Sequence, residues 1–183
     1  MQIDTWSTGT PDLLAARGDG ILRLTLNRPA RRNALTDTVL LALTDMFLKA
    51  GTDTTLRAIV LTGAGDKAFC AGADLTPGDT PFQPDFSRLT LPLGQLARAV
   101  HACHIPIVGR INGTCVAGGM GLFGLCDMAI ATEDARFGMP EVKVGIFPMQ
   151  ILTMLRTTSA HSPMWGSRLS IPPIRCKSTP WAC

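Results

Sequence analysis

The stretch CVAGGMGLFGLCD, residues 115–127, carries the spacing G-x-G-x-x-G at Gly119, Gly121 and Gly124. Glycines so spaced cradle a dinucleotide pyrophosphate when the first directly follows a strand and a crossover helix comes next. Here the preceding strand signal, PIVGRI, ends at Asn112-Gly113, and the seven residues Asn112 to Gly118 separate it from Gly119. The next strand signal begins near Asp127, too soon for a dinucleotide crossover. An NAD-dependent oxidoreductase is therefore excluded on context, and the glycines need another reason.

Working outward, ILRLTL (21–26) alternates apolar and polar residues and reads as a strand running into the loop NRPARRN. Thr36 is placed to cap a helix carrying Leu40, Leu43, Phe47 and Ala50 on one face and closing at Gly51. LRAIVLTGAG (56–65) is a continuous apolar run ending in glycines, the pattern of a buried parallel strand. Leu93, Leu96, Val100 and Cys103 mark a helix that starts near Pro92 and ends before Pro106. IPIVGRING and DMAIAT read as strands, and PMQILTMLR opens a further helix. Residues 76–88, with three prolines, read as a loop or lid. Strands alternating with helices predict an α/β fold built from crossover units.

The chain has 183 residues, enough for one domain with a sizeable core. No stretch approaches the roughly 18 uninterrupted apolar residues of a membrane span. The start, MQIDTWSTGTPD, lacks the basic and apolar regions of a signal peptide, so the expected location is cytoplasmic. Cys70, Cys103, Cys115 and Cys126 lie among apolar or small residues with no C-x-x-C pair, and are expected to be buried free thiols. His101 and His104 in HACH read as packing and helix-end residues rather than as metal ligands. The net charge of +3 is unevenly spread: residues 156–183 hold Arg156, Arg168, Arg175 and Lys177 and no acid. Four basic residues without aromatic interleaving on a defined face do not make a nucleic-acid surface. From about Arg156 the periodicity is lost and four prolines appear, so the expected organisation is a core over 1–155 and an atypical tail over 156–183.

Three segments carry chemistry. In AFCAGADL (68–75) a strand ends in the small residues Ala71, Gly72 and Ala73, which let backbone N–H groups approach a ligand. In the opening stretch, Gly118-Gly119 precede an apolar helix whose first N–H groups are free to meet an oxygen bearing negative charge. Two such amides converging on one oxygen form an oxyanion hole. In RFGMPEVKVGIFP (136–148), Glu141 sits among Met139, Val142 and Val144, and a carboxylate against apolar surface suits a general base or acid. Read alone, this Glu141 is equally a solvated residue or a partner of Lys143.

NRPARRNAL (27–35), AFCAGADL, INGTCVAGGMGL (111–122), CDMAIAT (126–132) and ARFGMPEVKVGIFP (135–148), in this order, resemble the crotonase, or enoyl-CoA hydratase/isomerase, superfamily over about residues 12–155. The resemblance implies a spiral of stacked ββα turns, truncated at its C-terminal helical part, in a family that assembles as trimers or hexamers. It implies an acyl-CoA thioester substrate, with no cofactor beyond the coenzyme A of the substrate itself, and no metal, nucleic acid or membrane. The implied oxyanion donors are the N–H groups of Ala73 and Gly118, and the implied base is Glu141. The NRPARRN loop resembles the segment that wraps coenzyme A, which makes Arg28, Arg31 and Arg32 candidates near its phosphates. Ala71 and Asp74 are further candidates on that side.

One departure bears on the reaction. Two-glutamate hydratases of the family carry their earlier glutamate three residues after the position of Gly118, and here that residue is Gly121. Glycine transfers no proton, so the implied chemistry has one base: isomerisation, or a single-base hydration, of an enoyl-CoA. The alternative is a non-catalytic fragment that binds coenzyme A esters or is an inactive truncated product.

Overall fold

The computed structural model describes residues 3–75, 91–141 and Ile151. Strands β1 (Asp4–Trp6), β2 (Leu13–Gly18) and β3 (Ile21–Leu26) form an antiparallel meander. Helix α1 (Asp37–Gly51) then crosses over to β4 (Ala58–Gly63), which pairs parallel to β3 from Ile21↔Ala58 to Leu26↔Gly63. The short strand β5 (Ala68–Cys70) follows, and after it helix α2 (Pro92–Ala102) and strand β6 (Ile107–Ile111). Next come β7 (Thr114–Val116), helix α3 (Gly118–Gly124), β8 (Met128–Ala131) and β9 (Phe137–Gly138).

These strands form two sheets. The larger has the order β1-β2-β3-β4-β6-β8 and the smaller β5-β7-β9, with all pairings from β3 onward parallel. Each turn of chain therefore lays one strand in the large sheet, one short strand in the small sheet, and then a helix. The turns β4-β5-α2 and β6-β7-α3 follow this rule in full. The first turn follows it in miniature: between β3 and α1, Leu35 makes a single parallel bridge to Ala73. This is the stacked ββα arrangement implied by the resemblance.

The core explains the order. Leu22, Leu24 and Leu26 of β3 alternate inward, and with Ile59 and Leu61 of β4 and Ile111 of β6 they line the sheet face. Leu43 and Phe47 of α1 and Leu96 of α2 close over it, and α1 packs on α2. Thr36 caps α1 as expected, its hydroxyl accepting the Val39 N–H at 3.3 Å. Thr36→Ala is expected to cost about 1 kcal/mol in a denaturant melt.

The predicted 76–88 loop and the 156–183 tail lie outside the described residues. Of the helix predicted from Pro148, only Ile151 is described, helical and buried. Among the described residues no helix is long and apolar enough to cross a membrane.

The described cysteines differ in access. Cys70, Cys115 and Cys126 are buried and Cys103 is half-buried. Cys70 and Cys115 are register partners across β5 and β7. Burial pushes the Cys70 and Cys126 thiols up to about 12, and the Cys115 thiol is raised by burial and then by its two thiol neighbours. A thiol whose folded value is raised favours folding below its unfolded value of about 8.5, and this contribution is lost as pH climbs toward the folded value. Native alkylation at pH 8 should therefore modify Cys103 well ahead of Cys70, Cys115 and Cys126, as read by peptide mass spectrometry. Equal labelling of all four in the folded protein would contradict the packing.

Candidate functional site

The small sheet sets the site. Its three parallel strands end side by side, and each is followed within three residues by one of the predicted groups: β5 by Ala73, β7 by Gly118, and β9 by Glu141. The carboxyl ends of neighbouring parallel strands are where α/β folds gather functional groups.

Three backbone hydrogen bonds hold the 71–74 turn. Ala71 N–H donates to the Arg32 carbonyl at 3.0 Å, the Gly72 carbonyl accepts from Leu35 N–H at 2.7 Å, and Asp74 N–H donates to the Leu35 carbonyl at 2.8 Å. In a parallel bridge the central residue points its own N–H away from the partner strand. Ala73 N–H is accordingly left without an acceptor among the described residues. Gly118 N–H, in the first turn of α3, has none there either.

The two turns touch. A Cβ added at Gly118 would stand 3.5 Å from Gly72 Cα and 3.6 Å from Ala73 N. A Cβ added at Gly72 would stand 3.3 Å from Gly118 N and 2.6 Å from the Ala117 methyl group. Gly72 also has φ of +96°, a conformation that L side chains rarely adopt. One position later, Gly119 has no room for a side chain because its Cβ would overlap the Cys70 carbonyl oxygen. The glycines of the opening stretch thus let α3 press against the end of β5.

Ala117, just before Gly118, has φ 52° and ψ −125°. Such strain in a non-glycine residue costs about 1–3 kcal/mol and collects at functional sites. It is fixed by β9, whose Gly138 carbonyl accepts the Ala117 N–H at 3.0 Å. The same bond ties the Glu141 segment to the start of α3. Both Glu141 carboxylate oxygens are shut off from solvent with no hydrogen-bond partner among the described residues. A buried, unpartnered carboxylate is costly and calls for an explanation.

The predicted coenzyme A residues divide. Arg31 and Arg32 are exposed, and Ala71 faces the turn with its N–H already used. Arg28 and Asp74 are bound to each other at 2.7 Å, with little of either side chain exposed. His101 Nδ1 lies 2.7 Å from the Ala97 carbonyl of its own helix, which accepts from it in the Nδ1–H tautomer. Among the described residues no group of three or more His, Cys, Asp or Glu could hold a metal ion.

Two positioning residues escaped the sequence reading. Buried Asn33 donates to the Ala64 and Ala68 carbonyls at 3.0 and 2.7 Å and accepts the Arg28 N–H. Buried Asn112 donates to the Gly63 and Gly65 carbonyls at 2.8 and 2.7 Å and accepts the Gly63 N–H. Together they pin the β4–β5 connection that aims β5. Asn112 directly follows a strand, whereas Asn33 closes the NRPARRN loop seven residues after β3. The interval between PIVGRI and Gly119, in which the sequence shows no strand signal, contains β7. The dinucleotide pattern still fails, since α3 has only seven residues and β7 and β8 lie in different sheets.

Against known proteins, the chain matches the enoyl-CoA hydratase/isomerase family over residues 16–162. It is 39% identical over 137 residues to the 2,3-dehydroadipyl-CoA hydratase of Escherichia coli K12, an alignment covering 75% of this chain and 52% of that protein. A crystal structure of an enoyl-CoA hydratase from Mycobacterium smegmatis superposes with a TM-score of 0.73 at 36% identity, covering 81% of this chain and 58% of that one. A structure from Magnetospirillum magneticum described as an enoyl-CoA hydratase/carnitine racemase gives 0.71 at 31% identity, covering 81% and 57%. The chain spans about half the length of the curated relatives it matches.

Proposed function

Because the chain belongs to the enoyl-CoA hydratase/isomerase family and has its crotonase fold, we propose that it binds an acyl-CoA thioester and stabilises its enolate. In this reading the N–H groups of Ala73 and Gly118 donate to the thioester oxygen and Glu141 moves the proton. The observation that supports it is that the three strands of the small sheet are each followed, within three residues, by an amide or a carboxylate that has no hydrogen-bond partner among the described residues.

The chemistry follows from these groups. Glu141 takes a proton from C2 of a 3-enoyl-CoA, and the electron pair moves onto the thioester oxygen, where the two amides meet the growing charge. The pair then returns through C2=C3, and C4 takes the proton back from Glu141, giving the conjugated 2-enoyl-CoA. Preorganised donors of this type are worth about 3–4 kcal/mol each to the barrier. Gly121 leaves the site with a single carboxylate, which suits this two-way proton transfer. Single-base hydration of a 2-enoyl-CoA uses the same groups, with Glu141 activating water, and the name of the Escherichia coli relative supports that outcome.

Arg31 and Arg32, exposed beside the turn, remain the candidates for the phosphates of coenzyme A. A second reading, a coenzyme A ester-binding chain without turnover, is favoured by Gly121, which transfers no proton. The two separate in one experiment. The purified chain is offered 3-enoyl-CoA and 2-enoyl-CoA esters, and the absorbance of the conjugated thioester is followed. Its rise from the first or loss from the second supports the enzyme, and saturable binding with neither change supports the second reading.

A further inference from the structure

We propose that the Arg28–Asp74 ion pair is a positioning clamp that aims the Ala73 N–H, rather than part of a phosphate site for coenzyme A. This rests on the reading of Ala73 as an oxyanion donor. Arg28 spans two acceptors with one planar fork, the Asp74 carboxylate at 2.7 Å and the Ala34 carbonyl at 2.8 Å, while its Nε lies 3.3 Å from the Asp12 carboxylate. Ala34 adjoins Leu35, and Leu35 holds the Gly72 carbonyl and the Asp74 N–H on either side of Ala73. The result is a closed ring of bonds from Arg28 through Ala34, Leu35 and the 72–74 backbone to Asp74 and back. Turning the Gly72–Ala73 peptide, which carries the Ala73 N–H, would break the Leu35 N–H bond to the Gly72 carbonyl. Moving the next peptide with it would break the Asp74 N–H bond and drag a buried carboxylate off its counter-charge, which low-dielectric surroundings make costly.

The same geometry argues against a phosphate. An anion brought to Arg28 would meet two carboxylates, Asp12 and Asp74, that already neutralise the guanidinium. Lysine could keep the charge but not the fork that reaches Ala34 as well.

The test uses butyryl-CoA labelled with carbon-13 at the thioester carbonyl and isotope-edited infrared spectra of the bound ester. Hydrogen bonding by the two amides lowers the carbonyl stretch in the wild-type chain. In Arg28→Lys and Asp74→Asn, that lowering should shrink by half or more, kcat should fall about 10–100-fold, and KM should change little. Arg28→Lys keeps a cation opposite Asp74 and so guards the test against simple unfolding, which thermal melts of both variants monitor. A wild-type shift that survives intact in Arg28→Lys overturns the clamp alone, and the same result with a KM raised tenfold or more returns Arg28 to the phosphate site. A wild-type ester with no lowered stretch overturns the donor reading of Ala73, and the clamp with it.

Discussion

Glu141→Gln is expected to lower turnover of an enoyl-CoA by about 10²–10⁴-fold, with ester binding changed little and the melting temperature unchanged or higher. The two signs come from one observation. Both carboxylate oxygens of Glu141 are buried without a partner among the described residues, so an amide of the same shape breaks no described hydrogen bond. A glutamate kept for structure would behave in the opposite way, since its loss would cost stability and leave the chemistry alone. Glutamine matches the shape of the side chain and cannot carry the proton between C2 and C4. Steady-state kinetics and a thermal melt on the same preparation decide between these outcomes. Unchanged turnover would remove Glu141 from the mechanism.

Gly72→Ala is the second large effect. The new methyl group would lie 2.6 Å from that of Ala117 and 3.3 Å from Gly118 N, at a φ of +96°. Overpacking of this kind costs about 1–3 kcal/mol, and the positive φ adds about 1–2 kcal/mol. The neighbours that must yield are the ones that set the proposed donors, so the structure can relieve the clash only by parting them. Loss of one such donor lowers kcat about 10²–10³-fold. The expected variant melts several degrees lower and, where folded, binds ester with near-normal KM but a kcat down by about that factor. A lowered melting temperature with full kcat would mean that the distance between the turns does not matter to the reaction.

How much of this was legible depends on the length of each element. The strand at 21–26, the helix closing at Gly51 and the helix opening at Pro92 are found where their periodicity places them, because each is long enough to show its period. Of the small sheet only the strand end in AFCAGADL is legible, and β7 and β9 are not, since they have three and two residues. They exist through parallel pairing with segments far away in sequence, which no local pattern encodes. The site was legible as three separate segments, but their meeting was not, because that is a property of the small sheet. Arg28 shows the same limit. In NRPARRN it reads as one of three similar arginines, and only its partner 46 residues away sets it apart. The strain at Ala117 has no sequence signal, because alanine gives no warning of a positive φ.

The central claim is that Glu141 and two backbone amides form and discharge a thioester enolate, and it is tested most directly without reference to hydration or isomerisation. Butyryl-CoA, which can do neither, is incubated with the chain in deuterium oxide and its mass followed. The account predicts that the wild-type chain introduces deuterium at C2 and that Glu141→Gln does so no faster than buffer. No exchange with the folded wild-type chain, or equal exchange in both, would contradict it.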